Sequence, residues 1–357
     1  MEFTETIGHS QIRWDPVGVV AAIVPWNYPL LQTMSKVAPA LAAGCPIVLK
    51  PSEMAPLDAL ILADAVEAAG LPPGAFNMVL GTGPHIGECL VRDPRVAMVS
   101  LTGSTRAGRR VSQLAATTVK RVSLELGGKS PAVVLEDADY AAAVAHTVDS
   151  VMVNTGQTCT ALTRLLVPFQ HLTDVENLVV DAMSAYLVGP AADPTSDVGP
   201  VANEHQLLRV IGHLERAPLD GARPIWSYPR AALPESGYFV APTAFTVTEP
   251  AIALAQQEIF GPVLTIIPYV DEEDAITIAN GTDYGLAATV WSSDEEHALA
   301  VATRIDSGTI DLNGAPFNSL APFGGHKQSG YGRELGAHGI MEFTETKAIQ
   351  TTKGAPS

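Results

Sequence analysis

The sequence is poor in cysteine, in long apolar runs and in positive charge, and each shortage excludes a class of protein. Its 357 residues include three cysteines, Cys45, Cys89 and Cys159, which cannot all pair within one chain. So low a count excludes a fold built on disulfide bonds and favours a reducing compartment.

The sequence contains no apolar segment as long as a membrane span. The longest apolar run, residues 17–24, is interrupted by Gly18 and falls far short of the roughly 18 residues that a span needs. Residues 1–6 contain no basic region followed by an apolar stretch, so we expect no signal peptide. These absences predict a cytoplasmic protein that makes no use of a membrane.

Acidic residues outnumber basic ones. Lys and Arg total 21 against 38 for Asp and Glu, which gives a formal net charge of −17. A chain this acidic is a poor partner for nucleic acid or anionic lipid. Hydrophobic residues make up 47% of the sequence, enough for a large core, and the length favours two or three domains.

Short apolar segments alternate with helical segments in two series. The first series has strand-like segments at 17–24, 46–50, 75–80, 97–101 and 119–126, and helical spacing at 30–43 and 57–69. The second has strand-like segments at 131–135, 161–167, 263–269 and 287–291, and helical spacing at 140–153, 271–279 and 295–304. This alternation predicts βαβ units and mostly parallel sheets, in two α/β units that change over near residues 127–128.

One run of six residues, Met-Glu-Phe-Thr-Glu-Thr, occurs at 1–6 and again at 341–346. Two copies of so short a run are not an architectural period. Both copies alternate as strands do, which is compatible with pairing at a sheet edge. An accident at the level of the gene explains the repeat equally well.

Cys159 is the best candidate for a nucleophile. Residues 155–160 around it are small and polar, so its thiol can be partly exposed. A thiolate is the strongest nucleophile among side chains. Cys45 and Cys89 are interpreted instead as small buried apolar residues, the first at the start of a strand and the second on an apolar helix face.

Glu125 and Asn27 lie where two predicted strands end. Glu125 closes an apolar strand, and such surroundings raise the pKa of a carboxylate into the range of a general base. The alternative is an ion-paired glutamate at a strand end. Asn27 follows the first strand, at the edge where open α/β sheets bind ligands, and its amide could stabilise an oxyanion. The alternative is a turn asparagine before Pro29.

Three segments suggest a nucleotide site. Residues 103–108 follow a strand and open a helix, where backbone N–H groups favour a phosphate. Residues 81–87 also follow a strand, but with GxGxxxG spacing, and either loop alone is a weak signal. Lys50 and Glu53 lie at another strand end, where the carboxylate could bind ribose hydroxyls and would repel a 2′-phosphate.

With these residues in view, the sequence resembles the aldehyde dehydrogenase superfamily. The matching runs follow one another along the chain in the same order as in the family, and they extend over nearly the whole chain from about Ile12. They are residues 25–29 (PWNYP), 50–53 (KPSE), 101–105 (LTGST), 124–131 (LELGGKSP), 156–159 (GQTC), 258–263 (EIFGPV) and 322–330 (PFGGHKQSG).

The resemblance implies catalytic roles for three residues. Cys159 would attack the aldehyde carbonyl, and Asn27 together with the Cys159 N–H would hold the oxyanion. A hydride would pass to a nicotinamide and leave a thioester. Glu125 would activate the water that hydrolyses the thioester, which favours hydrolysis over acyl transfer to coenzyme A.

The resemblance also implies a cofactor site for NAD, with NADP as the alternative and no metal. Glu258 would bind the nicotinamide ribose, with Phe260 beside the nicotinamide, and Lys50 and Glu53 would hold the adenosine ribose. Glu53 favours NAD over NADP. The remaining predicted cofactor residues include those of the pyrophosphate loop, and they are Trp26, Gly103, Ser104, Gly108 and Leu126.

The resemblance further implies a Rossmann-like cofactor domain, a second α/β catalytic domain and a small β-hairpin used for oligomerisation. We expect oligomerisation strands in 1–16 and 345–355, an NAD-binding domain in 17–127 with 331–344, and a catalytic domain in 128–330. The expected assembly is a homodimer or homotetramer. The sequence does not identify the aldehyde, although Thr158 and Thr160 beside the nucleophile bear on its choice.

One departure from the family leaves two other interpretations open. Relatives usually carry a long helical segment before the first cofactor strand, whereas sixteen residues precede Val17 here. We expect apolar surface to be exposed as a result. The chain could then be a truncated, non-catalytic member that binds NAD or a partner without turnover. A third interpretation is a thiol esterase that uses Cys159 and Glu125 without NAD.

Overall fold

A computed structural model describes residues 3–352, and the chain divides into two compact units. Unit 1 runs to Leu126 and also takes up Asn318–Gly324 and the segment from Gly330 onward. Unit 2 consists of Gly127–Phe317 and Gly325–Ser329. The assignment of cofactor binding to one unit and of catalysis to the other stays a prediction from the sequence.

The strands and helices have the following bounds. The strands are β1 (Thr4–Ile7), β2 (Ser10–Pro16), β3 (Val19–Ile23), β4 (Ile47–Lys50), β5 (Phe76–Met78), β6 (Val96–Thr102), β7 (Arg121–Glu125), β8 (Pro131–Val134), β9 (Arg164–Pro168), β10 (Arg223–Ser227), β11 (Thr243–Thr246), β12 (Val263–Tyr269), β13 (Tyr284–Gly285), β14 (Ala287–Trp291), β15 (Thr309–Leu312), β16 (His326–Lys327), β17 (Gly330–Tyr331) and β18 (Thr344–Gln350). The helices are α1 (Pro29–Ala42), α2 (Leu57–Ala68), α3 (Glu88–Arg92), α4 (Thr105–Ala115), α5 (Tyr140–Met152), α6 (Leu172–Ser184), α7 (Glu204–Arg216), α8 (Ala253–Gln256), α9 (Glu272–Asn280), α10 (Glu295–Ala302) and α11 (Gly336–Met341).

Unit 1 is built on a six-stranded sheet in the order β17-β7-β6-β3-β4-β5. Strands β3 to β7 are parallel, and the short β17 joins β7 in the antiparallel direction. The first strand of this sheet along the chain, β3, lies in the middle of the sheet. The chain then forms β4 and β5 on one side of β3 and returns to form β6 on the other side. The sheet therefore has a switch point between β3 and β6, which is where open α/β sheets bind ligands.

The sheet of unit 1 forms because its strands are apolar on both faces. Val20, Ala21 and Ala22 of β3 are fully buried, as expected for a central parallel strand covered by helices. One face packs against α1, and the other packs against α3 and α4. The predicted Rossmann-like α/β class is confirmed for this unit.

A second sheet in unit 1 has the antiparallel order β1-β2-β18. The two copies of the six-residue repeat do not pair with each other, because each lies against a different side of β2. Residues 4–6 of the first copy pair with 11–13, and residues 344–346 of the second pair with 14–16. Met1 and Glu2, and residues 353–355 of the predicted oligomerisation strand, lie outside the described residues.

Unit 2 contains a seven-stranded sheet in the order β10-β11-β12-β9-β8-β14-β15. All neighbours are parallel except β10, which runs antiparallel to β11 at the edge. Two apolar clusters cover its faces. This is the second α/β unit that the sequence predicted.

No element was predicted from the sequence for residues 168–262, where the structure has α6, α7, α8, β10 and β11. The strand β10 lies at the edge of its sheet and is mostly exposed, so its apolar signal is weak. Helix α7 is largely polar, and its fully buried residues are Gln206 and Val210. Helices that bury so few residues give little apolar periodicity.

The interpretation of Cys89 is corrected by the structure. Cys45 is buried, as expected, but Cys89 is exposed. Helix α3 has only five residues, and Val91 is the one that it buries. A helix of little more than one turn buries too few residues to cover the Cys89 thiol as well.

Large apolar side chains are exposed on α1 and α2 of unit 1. On α2, Leu57 and Ile61 are each 71% exposed, and Leu30 and Leu31 of α1 are more than half exposed. Helix α2 is rich in apolar residues, yet it buries only Ala59. Within residues 3–352, no helix combines the length and apolarity that crossing a membrane requires.

Candidate active site

The carboxyl edge of the sheet in unit 1 carries most of the predicted cofactor residues. Trp26 and Asn27 follow β3 and are half-buried, and Gly103 and Ser104 follow the adjacent β6. Because β3 and β6 flank the switch point, their following loops border the same crevice of the sheet. The sequence-predicted residues are thus brought together at the edge where a dinucleotide binds in such folds.

The amino terminus of α4 is suited to an anion. Ser104 is the N-cap, and its Oγ accepts a hydrogen bond from the Ala107 N–H at 3.2 Å. The first turn contains no acidic residue, so no carboxylate of the helix offsets the positive end of its dipole there. Gly108 packs against Leu126, since a Cβ at Gly108 would lie 2.6 Å from Leu126 Cδ1.

Lys50 and Glu53 form a polar pair at the end of β4. The buried Lys50 Nζ donates to the Pro51 carbonyl at 2.8 Å and lies 3.3 Å from Glu53 Oε2. Partial burial acts to raise the pKa of Glu53, but its own backbone N–H and the Lys50 charge outweigh this and lower it. An ionised, exposed carboxylate of this kind is a suitable acceptor for ribose hydroxyls.

Glu125 lies at the carboxyl end of β7 and is buried, with 3% exposure. Its backbone carbonyl accepts a hydrogen bond from the Gly103 N–H at 2.9 Å. Its carboxylate lies beside Gly324, where a Cβ would be 2.7 Å from Oε1. The predicted base is therefore held on a rigid strand, next to the loop that follows β6.

A buried ion pair in unit 1 was missed by the sequence analysis. Lys36 of α1 pairs with Glu334, and both side chains are almost fully buried. Lys36 Nζ also donates to Thr102 Oγ1 at 2.7 Å, and Ser35 Oγ donates to Glu334 Oε2 at 2.9 Å. The sequence signal was a single lysine within the apolar helical run 30–43. A buried pair of this kind needs such hydrogen bonds, because isolated buried charges are costly.

In unit 2, Cys159 lies in a loop with an unusual backbone. The loop follows α5 and leads into β9, and Asn154, Thr155 and Gly156 all have positive φ, of 51°, 58° and 69°. Gln157 stabilises the loop, since its Nε2 donates to the Asn154 carbonyl at 3.0 Å. Cys159 is half-buried, as its small polar neighbours indicated.

Glu258 lies against residues 127–128 of the same unit. The Gly128 N–H donates to Glu258 Oε1 at 3.2 Å, and a side chain at Gly127 would overlap that carboxylate. Loss of water raises the pKa of Glu258, whereas Arg209, the Gly128 N–H and Lys129 act to lower it. The glycines of the 124–131 motif therefore make room for the carboxylate of the 258–263 motif.

Phe260 has a left-handed backbone, with φ of 62°. Two side chains of α7, Gln206 and Arg209, donate hydrogen bonds to backbone carbonyls of residues 258–260. Neither residue was predicted from the sequence. A glutamine and an arginine three positions apart on a polar helix carry no distinctive sequence signal.

Comparison with known proteins identifies the family. The model of the aldehyde dehydrogenase family matches residues 3–349. A 3-succinoylsemialdehyde-pyridine dehydrogenase from a Pseudomonas species is 47% identical over 355 residues, which are 99% of this chain and 74% of that protein. The chain belongs to the aldehyde dehydrogenase family. The predicted family is thereby confirmed.

Other members of the aldehyde dehydrogenase family are similar in sequence and structure. The geranial dehydrogenase of Castellaniella defragrans is 45% identical, over 95% of this chain and 70% of that protein. A mutant of aldehyde dehydrogenase C from Pseudomonas syringae, solved with NAD+ and octanal, is 46% identical with a TM-score of 0.95, over 98% of this chain and 72% of that one. An aldehyde dehydrogenase of Mycobacterium tuberculosis, solved with NAD+, is 41% identical with a TM-score of 0.96, over 100% of this chain and 74% of that one. This aldehyde dehydrogenase chain thus spans about three quarters of the length of these relatives.

Proposed function

We propose that the protein oxidises an aldehyde to a carboxylic acid by a cysteine-based mechanism in which NAD accepts the hydride. The enzyme class and cofactor follow from the family match and from relatives crystallised with NAD+. The protein is an NAD-dependent aldehyde dehydrogenase, and the predicted class and cofactor are confirmed. The roles of individual residues are proposals.

The first step assigns Cys159 as the nucleophile. Its thiolate attacks the carbonyl carbon, a C–S bond forms, and the carbonyl electron pair moves to oxygen to give a thiohemiacetal. The Asn27 side-chain amide and the Cys159 backbone N–H donate to that oxygen. Its half-buried state supports the assignment, because a reactive thiol must be partly accessible.

Each unit, taken by itself, contains predicted residues with the chemistry that binds part of a dinucleotide. In unit 1, the start of α4, whose first turn has no acidic residue, suits a pyrophosphate, and the ionised Glu53 suits the adenosine ribose. In unit 2, Glu258 would bind the nicotinamide ribose, with Phe260 beside it. When bound, the nicotinamide accepts the hydride that leaves the thiohemiacetal carbon.

Glu125 is proposed to complete the reaction. It takes a proton from water as the water oxygen attacks the resulting thioester, after which the C–S bond breaks and the Cys159 thiolate leaves. Its fixed position at the end of β7 supports this role, since a general base must be held in place. The product is a carboxylic acid rather than an acyl-coenzyme A.

The observation that carries the proposal is the proximity of two loops in unit 2. A Cβ at Gly128, which binds Glu258, would lie only 2.7 Å from the Cys159 carbonyl oxygen. Gly128 therefore lies against both the residue proposed as nucleophile and the residue proposed as ribose ligand. An aldehyde panel read at the NADH absorbance, with NAD and NADP compared, tests the function and identifies the substrate class. Failure of folded, NAD-binding protein to turn over any aldehyde would overturn it.

For the assembly, the three-stranded sheet β1-β2-β18 supports a homodimer or a dimer of dimers. Its strands are mostly exposed, and β1 and β18 each have one side that no other described strand covers. Pairing with a second copy would cover such an edge. Light scattering after size exclusion tests this, and a purely monomeric protein would refute it. We infer a cytoplasmic location from the low cysteine count.

A second candidate function is an aldehyde dehydrogenase whose turnover depends on a further polypeptide segment. The exposed apolar side chains of α1 and α2 support it. In that case the chain binds NAD but turns over aldehyde only when a segment that covers this surface is supplied. Assays with and without the additional sequence found in longer relatives distinguish the two. The family match favours the chain that is catalytic by itself.

A further inference from the structure

Unit 2 contains a cavity of about 720 Å³ at the carboxyl edge of its seven-stranded sheet. The residues that line it end or follow four parallel strands, β8, β9, β12 and β14. The chain forms β8 first, continues to β9 on one side of it and later forms β14 on the other. The cavity therefore lies at the switch point of this sheet, where open α/β sheets bind ligands. Its volume is in the range of small-molecule sites.

The proposed reaction does not use this cavity. Cys159 precedes β9 and so belongs to the amino end of that strand, whereas Pro168 and Phe169 line the cavity at its carboxyl end. Strand β9 has five residues and spans roughly 15 Å. The ligand crevice of unit 2 is thus separate from the proposed nucleophile and has no ligand assigned to it.

The lining of the cavity is acidic. Five of its twelve residues are Asp or Glu, and none is Lys or Arg. Two helices that begin beside the cavity, α9 and α10, are each capped by a lining carboxylate, Asp271 and Asp294, which accepts hydrogen bonds from N–H groups of the first turn. These carboxylates occupy donors that would otherwise attract a phosphate. The cavity therefore disfavours anions and favours cations.

The buried wall residue Tyr269 responds to this negative charge. Its hydroxyl donates a hydrogen bond to the Val134 carbonyl at 2.8 Å, and the residue is 4% exposed. Burial raises the pKa of Tyr269, and negative charge on neighbouring groups, Glu272 and Asp137 among them, raises it further. Surroundings that oppose a negative charge on the phenol stabilise a positive charge at the same place.

The acidic residues lie in groups with an apolar stretch between two of them. Asp271 and Glu272 follow β12, residues 136–137 follow β8, and Pro168 and Phe169 lie at the end of β9, which runs between those two strands. Strands two positions apart are separated by about 10 Å. Among the residues that the structure describes, no three His, Cys, Asp or Glu side chains are grouped as a metal site requires. The spacing suits a long organic cation and not a metal ion.

Phe169 adds an aromatic surface between the two acidic groups. Its side chain is 66% exposed. The face of an aromatic ring attracts an ammonium group, because the ring carries negative charge on its faces. The rim beside it is ordered, since Glu272 Oε2 and His297 Nε2 lie 2.6 Å apart and join the first turns of α9 and α10.

We propose that this cavity binds a linear polyamine, an aliphatic chain with protonated amines at both ends and in the middle. One terminal ammonium contacts Asp271 and Glu272, the other contacts the carboxylates that follow β8, and the middle of the chain lies on Phe169. The polyamine is neither the aldehyde nor the cofactor, so the inference goes beyond the proposed function and does not depend on it.

Isothermal titration calorimetry with spermidine at low ionic strength tests the proposal on wild type, Glu272→Gln, Phe169→Leu and Glu273→Gln. Glu273 is the matched control, because it is the next residue of α9, has the same charge, pairs with Arg304 and does not line the cavity. Loss of one charged contact should raise the Kd of Glu272→Gln about tenfold. Leucine keeps the apolar bulk but removes the ring, so the Kd of Phe169→Leu should rise about two- to fivefold. The Kd of Glu273→Gln should stay within about twofold of wild type.

The neutral chain 1,8-octanediol, of about the same length, should not bind. Three results would overturn the proposal. The first is the absence of saturable spermidine binding to wild type. The second is an equal loss in Glu272→Gln and Glu273→Gln, which would mean that spermidine is attracted only by the net charge of −17. The third is equal binding of 1,8-octanediol. Because Phe169 is exposed, Phe169→Leu should fold even if Glu272→Gln does not. Production of NADH by wild type is measured separately, so failure of the proposed function is distinct from all three.

Discussion

The Gly128 N–H donates a hydrogen bond to Glu258 Oε1 at 3.2 Å, across 130 positions of sequence. Beside it, Gly127 has no room for a side chain, because a Cβ would overlap the same carboxylate. Residues of two motifs that identified the family, 124–131 and 258–263, therefore form a single structural feature. In it the Glu258 carboxylate packs against Gly127 and Gly128.

Replacement of the nucleophile should abolish oxidation. Cys159→Ala removes the group that forms the C–S bond, so NADH production should fall by at least roughly a thousandfold. Binding of NAD, followed by fluorescence titration, should remain within about twofold of wild type because the cofactor residues are untouched. The exposed Cys89 provides the control, and Cys89→Ala should retain full activity. Turnover that survives in the Cys159 variant would exclude the thioester route.

Glu125→Gln should slow the release of the acid more than the transfer of hydride. The amide cannot accept a proton from water, and removal of a general base costs roughly a hundredfold to ten-thousandfold. Rapid mixing should show a burst of NADH close to one equivalent per active site, followed by a slow steady state. The exposed Glu136, changed to Gln, is the matched control and should leave both phases intact. Loss of the burst together with the steady state would mean that Glu125 acts before hydride transfer.

Lys129→Met should change how stability depends on pH. Burial and, to a smaller extent, the Arg164 charge lower the pKa of Lys129, and Glu258 opposes the shift, so that the pKa falls from 10.5 to about 7. Between these two values the unfolded chain binds more protons than the native chain, so the lysine makes stability rise with pH across that window. Below about pH 7 the native state carries a buried ammonium for which no described hydrogen-bond partner exists.

The methionine variant should therefore be more stable than wild type below pH 7, and its stability should rise less steeply from there to about pH 10. Urea unfolding midpoints measured over that range provide the check. Lys347→Met, on the exposed β18, should leave the slope unchanged. Equal slopes for Lys129→Met and wild type would show that the lysine keeps its ordinary ionisation when the protein is folded.

Polar substitutions on α2 should reduce self-association without loss of stability. Leu57 and Ile61 are each 71% exposed, so Leu57→Gln with Ile61→Gln should change the free energy of unfolding by no more than about 0.5 kcal/mol per site. Binding of an apolar dye and aggregation on heating should both decrease. The conservative double variant with Met at both positions controls for the substitutions themselves. A large drop in the melting temperature would indicate that another polypeptide surface covers these side chains in solution.

Glu53→Gln should weaken the preference for NAD over NADP. The ionised carboxylate accepts hydrogen bonds from ribose hydroxyls and repels a 2′-phosphate, and the amide does neither as well. The ratio of kcat/KM for the two cofactors should shift toward NADP by about tenfold, as expected for the loss of one charged interaction. Asp58→Asn, on the following helix, is the control. An unchanged ratio would show that Glu53 does not contact the adenosine ribose.

Much of the fold could be read from local sequence. The strands β12 and β14 occupy the residues predicted for them, and α5 ends one residue earlier than predicted. These segments are apolar on both faces or have clear helical spacing, so their burial is encoded in their own composition. The weakly apolar segments of residues 168–262 gave no such signal, and α7 was therefore not predicted.

The amino-acid sequence by itself determined the family, the α/β class, and the candidate roles of Cys159, Glu125 and Asn27, because ordered motifs and apolar periodicity are local properties. Only the tertiary structure decided that Gln206 and Arg209 hold the backbone beside Glu258, and that Lys36 is buried against Glu334. Those contacts join segments far apart in the chain. Their strength depends on distances of a few tenths of an ångström between backbone and side-chain atoms, and residue identities alone do not contain such distances.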